Sequence, residues 1–315
     1  MSIKKIMIST LALLILLVIY LIPDNRKEIE LSNNSIEYVY DNIKSTIYLI
    51  DSDDYVARTS ISTCKCDGKD KAKDLLEGLI IGGGKSSIIP NGFRSIIPPG
   101  TTVLNIELKD KVITIDFSKE LLEVNEKEEK KMTEAITYTL TSIDGIDKVI
   151  IKVEGEEITK LPSGNNIPTV LDRSYGINKS YDLVNTSNIE SYTVYYVNEY
   201  NDNKYYVPVT KYVNGKSDDP IKVIIKELSS SPIYETNLMS YLNASAQLNN
   251  YQLIGDNLKL NFNNLLLNDL DEKNILEEVI YTISLSVNNI YNNLETVSFY
   301  VDDNEVYNIN INEIK

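Results

Sequence analysis

Three acidic side chains, Asp116, Glu120 and Glu123, crowd the end of the segment "LNIELKDKVITIDFSKELL" (residues 104–122). Paired carboxylates carry glycoside hydrolysis, which needs two facing groups about 5 to 10 Å apart. A second copy of the segment has Asn261 where the first has Asp116, and nothing marks a partner carboxylate on another element. The pattern therefore favours a capping or surface role for these acids.

The residue types of the commonest hydrolytic and metal sites are missing. The 315-residue sequence has no histidine and no Gly-x-Ser-x-Gly elbow, which excludes a conventional catalytic triad and removes the commonest metal ligand. We predict no enzymatic activity, no cofactor and no metal site.

The segment "GGGKSS" (residues 82–87) ends like a phosphate-binding loop. A Walker loop needs a glycine five residues before its Gly-Lys pair, and that position is Leu79. The segment also follows a helical pattern rather than a strand. We interpret it as the exit of a helix.

Cys64 and Cys66 are the only cysteines. Neither follows an apolar run, so neither is placed to accept a lipid. A redox disulfide and half of a metal site are both open readings, but no further Cys or His completes four ligands. The pattern favours two thiols in a loop.

The net charge of −15 argues against a nucleic-acid partner, because a phosphate backbone would be repelled. It leaves a basic protein surface as the more natural partner.

An uncharged run from Ile6 to Ile22 follows Lys4 and Lys5. It spans roughly 26 Å as a helix, close to the hydrocarbon thickness, and no small-x-small cleavage site follows it. We predict an uncleaved single-pass anchor over residues 1–23, with the N-terminus in the cytoplasm and the bulk of the chain outside. A polar tether occupies residues 24–44.

The remaining chain repeats one pattern at an offset of 143 to 149 residues. Residues 45–160 and 191–315 each read as a strand, a helix, a hairpin, a longer helix and a strand, and residues 161–190 form a linker rich in Pro, Gly, Asn and Ser. The alternating residues of both hairpins predict one buried face. The expected fold is α/β (α+β): two tandem repeats, each a small mixed sheet with two helices packed on one face.

The strand end "DFS" (116–118) precedes a helical turn, and we expect Asp116 or Ser118 to cap it. Asn261 and Asn263 keep this capping ability in the second copy. Upstream, Pro98-Pro99-Gly100 predicts a turn that directs the chain into the hairpin.

Two stretches, "IIPPGTTVLNIELKDKVITIDFSKEL" and "EAITYTLTSIDGIDKVIIKVEGEEI", resemble the GerM domain of sporulation and germination proteins. The resemblance is strong over residues 45–160 and weaker over 192–312. The piece "VLDRSYGIN" is similar to the join between tandem domains of that family. The residues that carry the family pattern are Pro98, Pro99, Gly100, Asp110, Asp116, Phe117, Ser118 and Gly155.

The resemblance implies a non-enzymatic protein outside the cytoplasm of a spore-forming bacterium, with domains similar to ring-building folds. Its expected partners are other envelope or sporulation proteins, or further copies of itself, in the space between mother cell and forespore. The alternative is a module that binds peptidoglycan or cortex glycan, for which the tyrosines of "YYVNEYNDNKYY" (195–206) would supply stacking surfaces.

Overall fold

Each half of the chain repeats one order of elements: two strands, a helix, two strands, a helix and two strands, with one additional two-residue strand after the first helix of the first half and one short strand at the start of the second half. The computed structural model describes residues 43–215, 219–230, 236–269, 273–291 and 294–314. The predicted anchor (1–23) lies outside the described residues, as does the predicted tether (24–44) apart from its last two residues. No helix in the described ranges is long and apolar enough to cross a membrane.

The first half contains two helices and seven strands, and the mixed α+β class is as predicted. Its elements are β1 (Ile43–Asp51), β2 (Val56–Thr63), α1 (Gly68–Leu79), β3 (Phe93–Arg94), β4 (Val103–Lys109), β5 (Val112–Phe117), α2 (Glu129–Leu140), β6 (Lys148–Val153) and β7 (Glu156–Glu157).

The second half begins with a short strand, β8, that lies within the predicted linker. Its elements are β8 (Ser180–Asp182), β9 (Ile189–Tyr200), β10 (Asn203–Asn214), α3 (Pro220–Ser229), β11 (Leu248–Ile254), β12 (Asn257–Phe262), α4 (Glu277–Asn288), β13 (Thr296–Val301) and β14 (Asn304–Asn310).

The strands form three sheets, and one of them is shared by the two repeats. The sheet β4-β5-β6-β7 belongs to the first repeat and β11-β12-β13-β14 to the second; each is mixed, with its central pair parallel. The shared sheet runs β3-β1-β2-β10, with β9 and β8 also paired to β10. The first strand of each repeat therefore does not join the sheet of its own hairpin.

The sequence predicted one strand before the first helix of each repeat, and the structure has two. The second strands, β2 and β10, escaped prediction for local reasons. Four of the five residues from Arg58 to Ser62 are polar, so β2 lacks the alternation typical of a half-buried strand, and β10 contains Pro208. Proline in the middle of a sheet removes a ladder hydrogen bond, so its presence argued against a strand.

The predicted buried hairpin faces are confirmed in both repeats. In the first, Ile113, Ile115 and Phe117 of β5 are fully buried, and so are their counterparts Leu258, Leu260 and Phe262 of β12. The outer strands β4 and β11 contribute only partly buried residues to the same faces. Each hairpin thus provides one apolar layer, which packs against the helices of its own repeat.

Candidate functional site

The two repeats meet where β2 lies beside β10. In the described part of the chain one ladder pair joins these strands, Arg58 to Tyr206. The hairpin registers make Val56 the counterpart of Tyr206, and Arg58 the counterpart of Pro208. If the two repeats were related by an exact two-fold axis, a second ladder pair would join Val56 to Pro208. Proline has no backbone N–H, so Pro208 cannot donate a ladder hydrogen bond there.

Asn178 fills that gap with its side chain. Its amide nitrogen donates to the carbonyl oxygens of Val56 (2.8 Å) and Pro208 (2.7 Å), and its amide oxygen accepts from the Val56 N–H (2.9 Å). Its backbone has φ 45°, a left-handed conformation that asparagine adopts more readily than most residues. The Asn178 side chain, from the predicted linker, thus provides hydrogen bonds to β2 and β10 in place of a direct ladder pair between them.

Equivalent tyrosines also meet across the joint. The hydroxyl oxygens of Tyr48 (β1) and Tyr195 (β9) are 2.9 Å apart, and both side chains are buried. The backbone N–H of Tyr48 donates to Oγ1 of Thr139 (3.0 Å), and that of Tyr195 to Oγ of Ser286 (2.9 Å). In each repeat a helix hydroxyl therefore satisfies a strand N–H that faces away from its hairpin partner.

A third contact between the repeats is centred on Asp51. Its carboxylate accepts from Nδ2 of Asn198 (3.1 Å) and from the hydroxyl of Tyr205 (3.0 Å). Burial raises the pKa of Asp51 above its ordinary value, and these hydrogen bonds oppose part of that rise. Burial, and then the nearby Asp51 charge, raise the pKa of Tyr205, so its hydroxyl stays a donor.

The end of the chain returns to the joint. Arg58 Nη2 donates to the carbonyl oxygen of Ile314 at 2.5 Å, and also lies 3.2 Å from Oγ1 of Thr46. The Ile314 side chain is buried. The last residues of the second repeat are thereby attached to the first.

An open cleft of about 1120 Å³ lies beside this joint. The first repeat lines it with Ser45, Thr46 and Tyr48, and the second with their counterparts Tyr192, Thr193 and Tyr195. Arg173, from the predicted linker, also lines it. Its Nε donates to Oγ1 of Thr141 (3.2 Å), and its guanidinium carbon lies 5.1 Å from the centre of the Tyr138 ring.

The Pro98-Pro99-Gly100 turn lies directly before β4, as predicted. The Thr101 N–H donates to the Pro98 carbonyl oxygen (3.3 Å), with Gly100 at φ 82°. The second repeat keeps the turn with other residues: the Ala246 N–H donates to the Asn243 carbonyl oxygen at 2.9 Å. These residues lie away from the cleft.

The turn between β4 and β5 is the predicted one. Asp110 and Lys111 have φ 49° and 63°, the two consecutive left-handed residues of a type I′ turn. Phe117 is fully buried at the end of β5. None of the three is a hydrogen-bond partner of Asn178, and Lys111 is the one of them that lines the cleft.

The prediction that Asp116 or Ser118 caps the following helical turn is wrong. Asp116 Oδ1 instead accepts from the Gly155 N–H (2.9 Å), and Ser118 Oγ from the Thr102 N–H (3.0 Å). The turn itself begins at Lys119, whose N–H donates to Oε1 of Glu154 (3.0 Å).

The same correction holds in the second copy. Asn261 Oδ1 accepts from the Asp303 N–H (3.3 Å), and Asn263 Oδ1 accepts from the Gln247 N–H (3.1 Å). The side chains on these strand ends connect to neighbouring loops rather than to the turn that follows them. Their geometry repeats although the charge does not.

The acids of the first hairpin do not form a hydrolytic pair. The Asp116 carboxylate accepts a hydrogen bond from the Gly155 N–H. A hydrogen bond from the Ser118 hydroxyl lowers the pKa of Glu120. A general acid in a glycosidase needs a raised pKa.

The glycine-rich segment leaves α1 as predicted. Two donors that a phosphate would use already have partners: the Gly84 N–H donates to Oε2 of Glu77 (3.0 Å), and Lys85 Nζ lies 3.0 Å from Oδ1 of Asp74.

The expectation of two thiols is wrong, because Cys64 and Cys66 form a disulfide. The segment brings their Cα atoms to 5.2 Å, within the usual range for this bond. The Cys64 N–H also donates to Oδ2 of Asp74 (2.9 Å).

The tyrosines predicted as a sugar-stacking surface are mostly inside the protein. Tyr195, Tyr196, Tyr205 and Tyr206 are buried in the shared sheet and its contacts. Burial, followed by the Glu227 carboxylate, raises the pKa of Tyr196, whose hydroxyl donates to Oε1 of Glu227 (2.9 Å). The packing of these rings explains their number without a glycan ligand.

Sequence comparison matches residues 46–159 and 193–307 to the family Germane, described as sporulation and spore germination. The chain belongs to this family. It is 36% identical over 247 residues to the spore germination protein GerM of Bacillus subtilis (strain 168). The alignment covers 76% of this chain and 67% of the relative.

A solved structure confirms the tandem arrangement. The tandem GerMN domains of the sporulation protein GerM from Bacillus subtilis match with a TM-score of 0.75 at 31% identity, over 84% of this chain and 92% of that one. The resemblance to the GerM domain family, given above on the sequence motifs, is thus confirmed.

The residues that build the joint were not singled out from the sequence. Arg58 lies in a strand that the sequence did not predict, and Arg173 and Asn178 lie in the segment that was interpreted as a polar linker. The similarity of "VLDRSYGIN" to a family join was a signal for the segment, but it carried no role for either residue.

Proposed function

We propose that this protein is a non-catalytic assembly component of the cell envelope in a sporulating bacterium, and that it contacts its partners through an unpaired sheet edge of the second repeat. The observation that carries the proposal is a difference between the last strands of the two repeats. In the first repeat β7 has two residues, both glutamates; in the second, β14 has seven.

The edge of β14 has the properties of a pairing surface. Among the described strands it pairs with β13 alone. It has a single charged residue, Glu305, and Tyr307 is 44% exposed. An unpaired strand presents free backbone donors and acceptors, and short or charged edges are how proteins usually prevent such pairing. The first repeat has that protection, and β14 has little of it.

Photo-crosslinking in sporulating cells tests this edge. A photoreactive residue at Tyr307 is expected to give adducts with envelope proteins or with a second copy of the chain. The matched position is Glu157 on β7, where few adducts are expected. Equal yields at the two positions, or adducts at Glu157 alone, would contradict the proposal.

A charge substitution gives an independent readout. Tyr307→Lys places on β14 the kind of residue that blocks edge pairing, and we expect it to lower co-purification of partners and the yield of spores. Glu157→Lys is the control and should leave both unchanged. A variant Tyr307→Lys with normal partners and normal spores would count against the edge.

The attachment to the membrane belongs to the same proposal. We place the anchor at Ile6 to Ile22 and the two repeats outside the cytoplasm, in the space between mother cell and forespore. When the chain is produced in vegetative cells, the same orientation exposes the repeats at the cell surface, so protease added to intact protoplasts of these cells should degrade the repeats. Protection of the repeats until the membrane is permeabilised would contradict this placement.

A further inference from the structure

The cleft between the repeats contains a guanidinium with no carboxylate partner among the described residues. Arg173 Nε donates to Thr141, and Nη1 lies 3.5 Å from Oδ1 of Asn289, at the limit of a hydrogen bond. The neighbouring Asp172 is already engaged, since its Oδ1 accepts from the N–H and hydroxyl of Ser174. A partly buried cation that lacks a counter-ion costs free energy, which a bound anion would offset.

The walls of the cleft carry more cations than anions, although the chain as a whole has a net charge of −15. The basic lining residues are Lys44, Arg58, Lys71, Lys111, Lys148 and Arg173. The acidic lining residues are Asp144, Asp147, Asp172 and Glu295. Asp147 forms an ion pair with Lys111 (3.4 Å), and in the described residues no ion pair engages Lys44, Lys71 or Lys148.

The positive charge comes from the first repeat and from Arg173 of the connecting segment, and none of it comes from the second repeat. Lys44 and Lys71 have Ser191 and Pro220 as their counterparts, and both of these belong to the part of the lining that the second repeat provides. Because the backbone of the two walls is related by the repeat, the charge difference is a property of the side chains. The cleft therefore has a basic wall and a nearly neutral wall.

The size and the neutral groups of the cleft fit a polypeptide. A volume of about 1120 Å³ exceeds the roughly 300 to 1,000 Å³ of typical small-molecule sites. The second wall offers Thr193, Asn288, Asn289 and Asn312, whose hydroxyl and amide groups both donate and accept. An isolated phosphate needs only donors, whereas the peptide groups of an extended chain use both.

We infer that this cleft binds an extended acidic segment of a polypeptide, with one carboxylate on the Arg173 guanidinium and others near Lys44 and Lys71. The inference goes beyond the proposed function, because it uses a surface different from the β14 edge and does not depend on it.

Fluorescence anisotropy with the full-length protein in a neutral detergent tests the site. The probe is fluorescein-labelled hexaglutamate, with labelled hexaglutamine as the uncharged control. We expect saturable binding of hexaglutamate that weakens as salt is raised, and no binding of hexaglutamine. A chain of net charge −15 should repel hexaglutamate elsewhere on its surface, so non-specific binding is disfavoured.

The double variant Lys44→Gln/Lys71→Gln removes two charges from the rim and should weaken binding about five- to tenfold. The matched control, Lys119→Gln/Lys127→Gln, removes two exposed charges that do not line the cleft, and should keep the original affinity. Circular dichroism checks that both variants are folded.

Three results would overturn the inference: no saturable binding of hexaglutamate, equal binding of hexaglutamine, or equal loss in the two double variants. Complete displacement of the probe by millimolar inorganic phosphate would assign the site to a free anion instead. Failure of the Tyr307 crosslinking experiment would leave this result unaffected, so the two proposals can be judged separately.

Discussion

The two repeats share one framework but differ in how their second helix, α2 or α4, contacts its surroundings. In α2, the buried Glu129 accepts from the Ser163 N–H (2.8 Å) and Glu134 from the Asn178 N–H (3.0 Å), so both acids bind the segment that follows the repeat. The counterparts around α4 are Leu276 and Tyr281. The apolar face was kept in both copies, whereas of these two helices only α2 contains buried carboxylates, and both of them hold the connecting segment.

The largest expected effect tests whether the repeats behave as one folding unit. Phe117→Ala and Phe262→Ala each remove a fully buried ring from equivalent positions, and each should lower the free energy of unfolding by about 3 to 5 kcal/mol. Because the shared sheet couples the repeats, urea denaturation should show one transition that both variants displace. Two transitions, with each variant displacing a different one, would show independent repeats.

The exposed Leu104→Ala serves as the control for those variants, since its side chain is half exposed. It should change the unfolding free energy by less than about 1 kcal/mol.

Asn178 tests the joint itself. Asn178→Gly keeps the left-handed backbone but removes the amide that bonds Val56 and Pro208, and should cost about 1 to 3 kcal/mol. Asn188→Gly is the control, because Asn188 has φ 51° and is exposed. If thermal unfolding showed the same loss for both, the bridging role of Asn178 would be wrong.

The helix hydroxyls offer a matched pair of smaller effects. Thr139→Val and Ser286→Ala leave the N–H groups of Tyr48 and Tyr195 without their acceptors, and each should cost about 1 to 2 kcal/mol. Hydrogen exchange of those two amides should accelerate accordingly. Thr137→Val is the control, since its hydroxyl donates only to a carbonyl within its own helix. Unchanged exchange at Tyr48 in Thr139→Val would contradict the assignment.

The smallest effect concerns pH and separates the two helices. Burial raises the pKa of Glu134 above 4.5, so between that pH and the raised value the folded state binds more protons than the unfolded state. Stability should therefore fall as pH rises through this interval and stay level above it.

Glu134→Gln should make that fall shallower, while Tyr281→Phe in the second repeat should leave it unchanged. The pKa of Asp51 is also raised, so Asp51 contributes to the decrease of stability with pH in every variant. Unfolding midpoints measured between about pH 4 and 7 provide the comparison. An identical slope in Glu134→Gln and the unaltered protein would show that Glu134 does not titrate in this interval.

The elements that the sequence predicted well are those whose pattern is local. The hairpin strands and the helices alternate or repeat with the period of their own geometry, and both copies agree, so the pattern alone places Phe117 and Phe262 in cores. The pairing of β2 with β10 could not be placed, because alternation specifies a buried face but not the strand that lies alongside.

The joint residues were hidden for a different reason. Asn178 lies in a segment of turn-forming residues, where asparagine is ordinarily explained by local backbone bonds. Its actual partners, Val56 and Pro208, are 122 and 30 residues away. The role of Arg173 could not be predicted either, because an arginine in a polar linker is ordinarily expected to be exposed to solvent. Long-range polar contacts leave no periodic trace in a sequence.

The shared sheet also determines when contacts of the first repeat can form during synthesis of the chain. Tyr48 must wait for Tyr195, which is 147 residues further along the chain, before its hydroxyl finds its partner. At synthesis rates of about 5 to 20 residues per second this delay is roughly 7 to 30 s. During that interval the β2 edge of a newly made first repeat is open, and we expect it to be the point at which two nascent chains exchange strands when they are made close together.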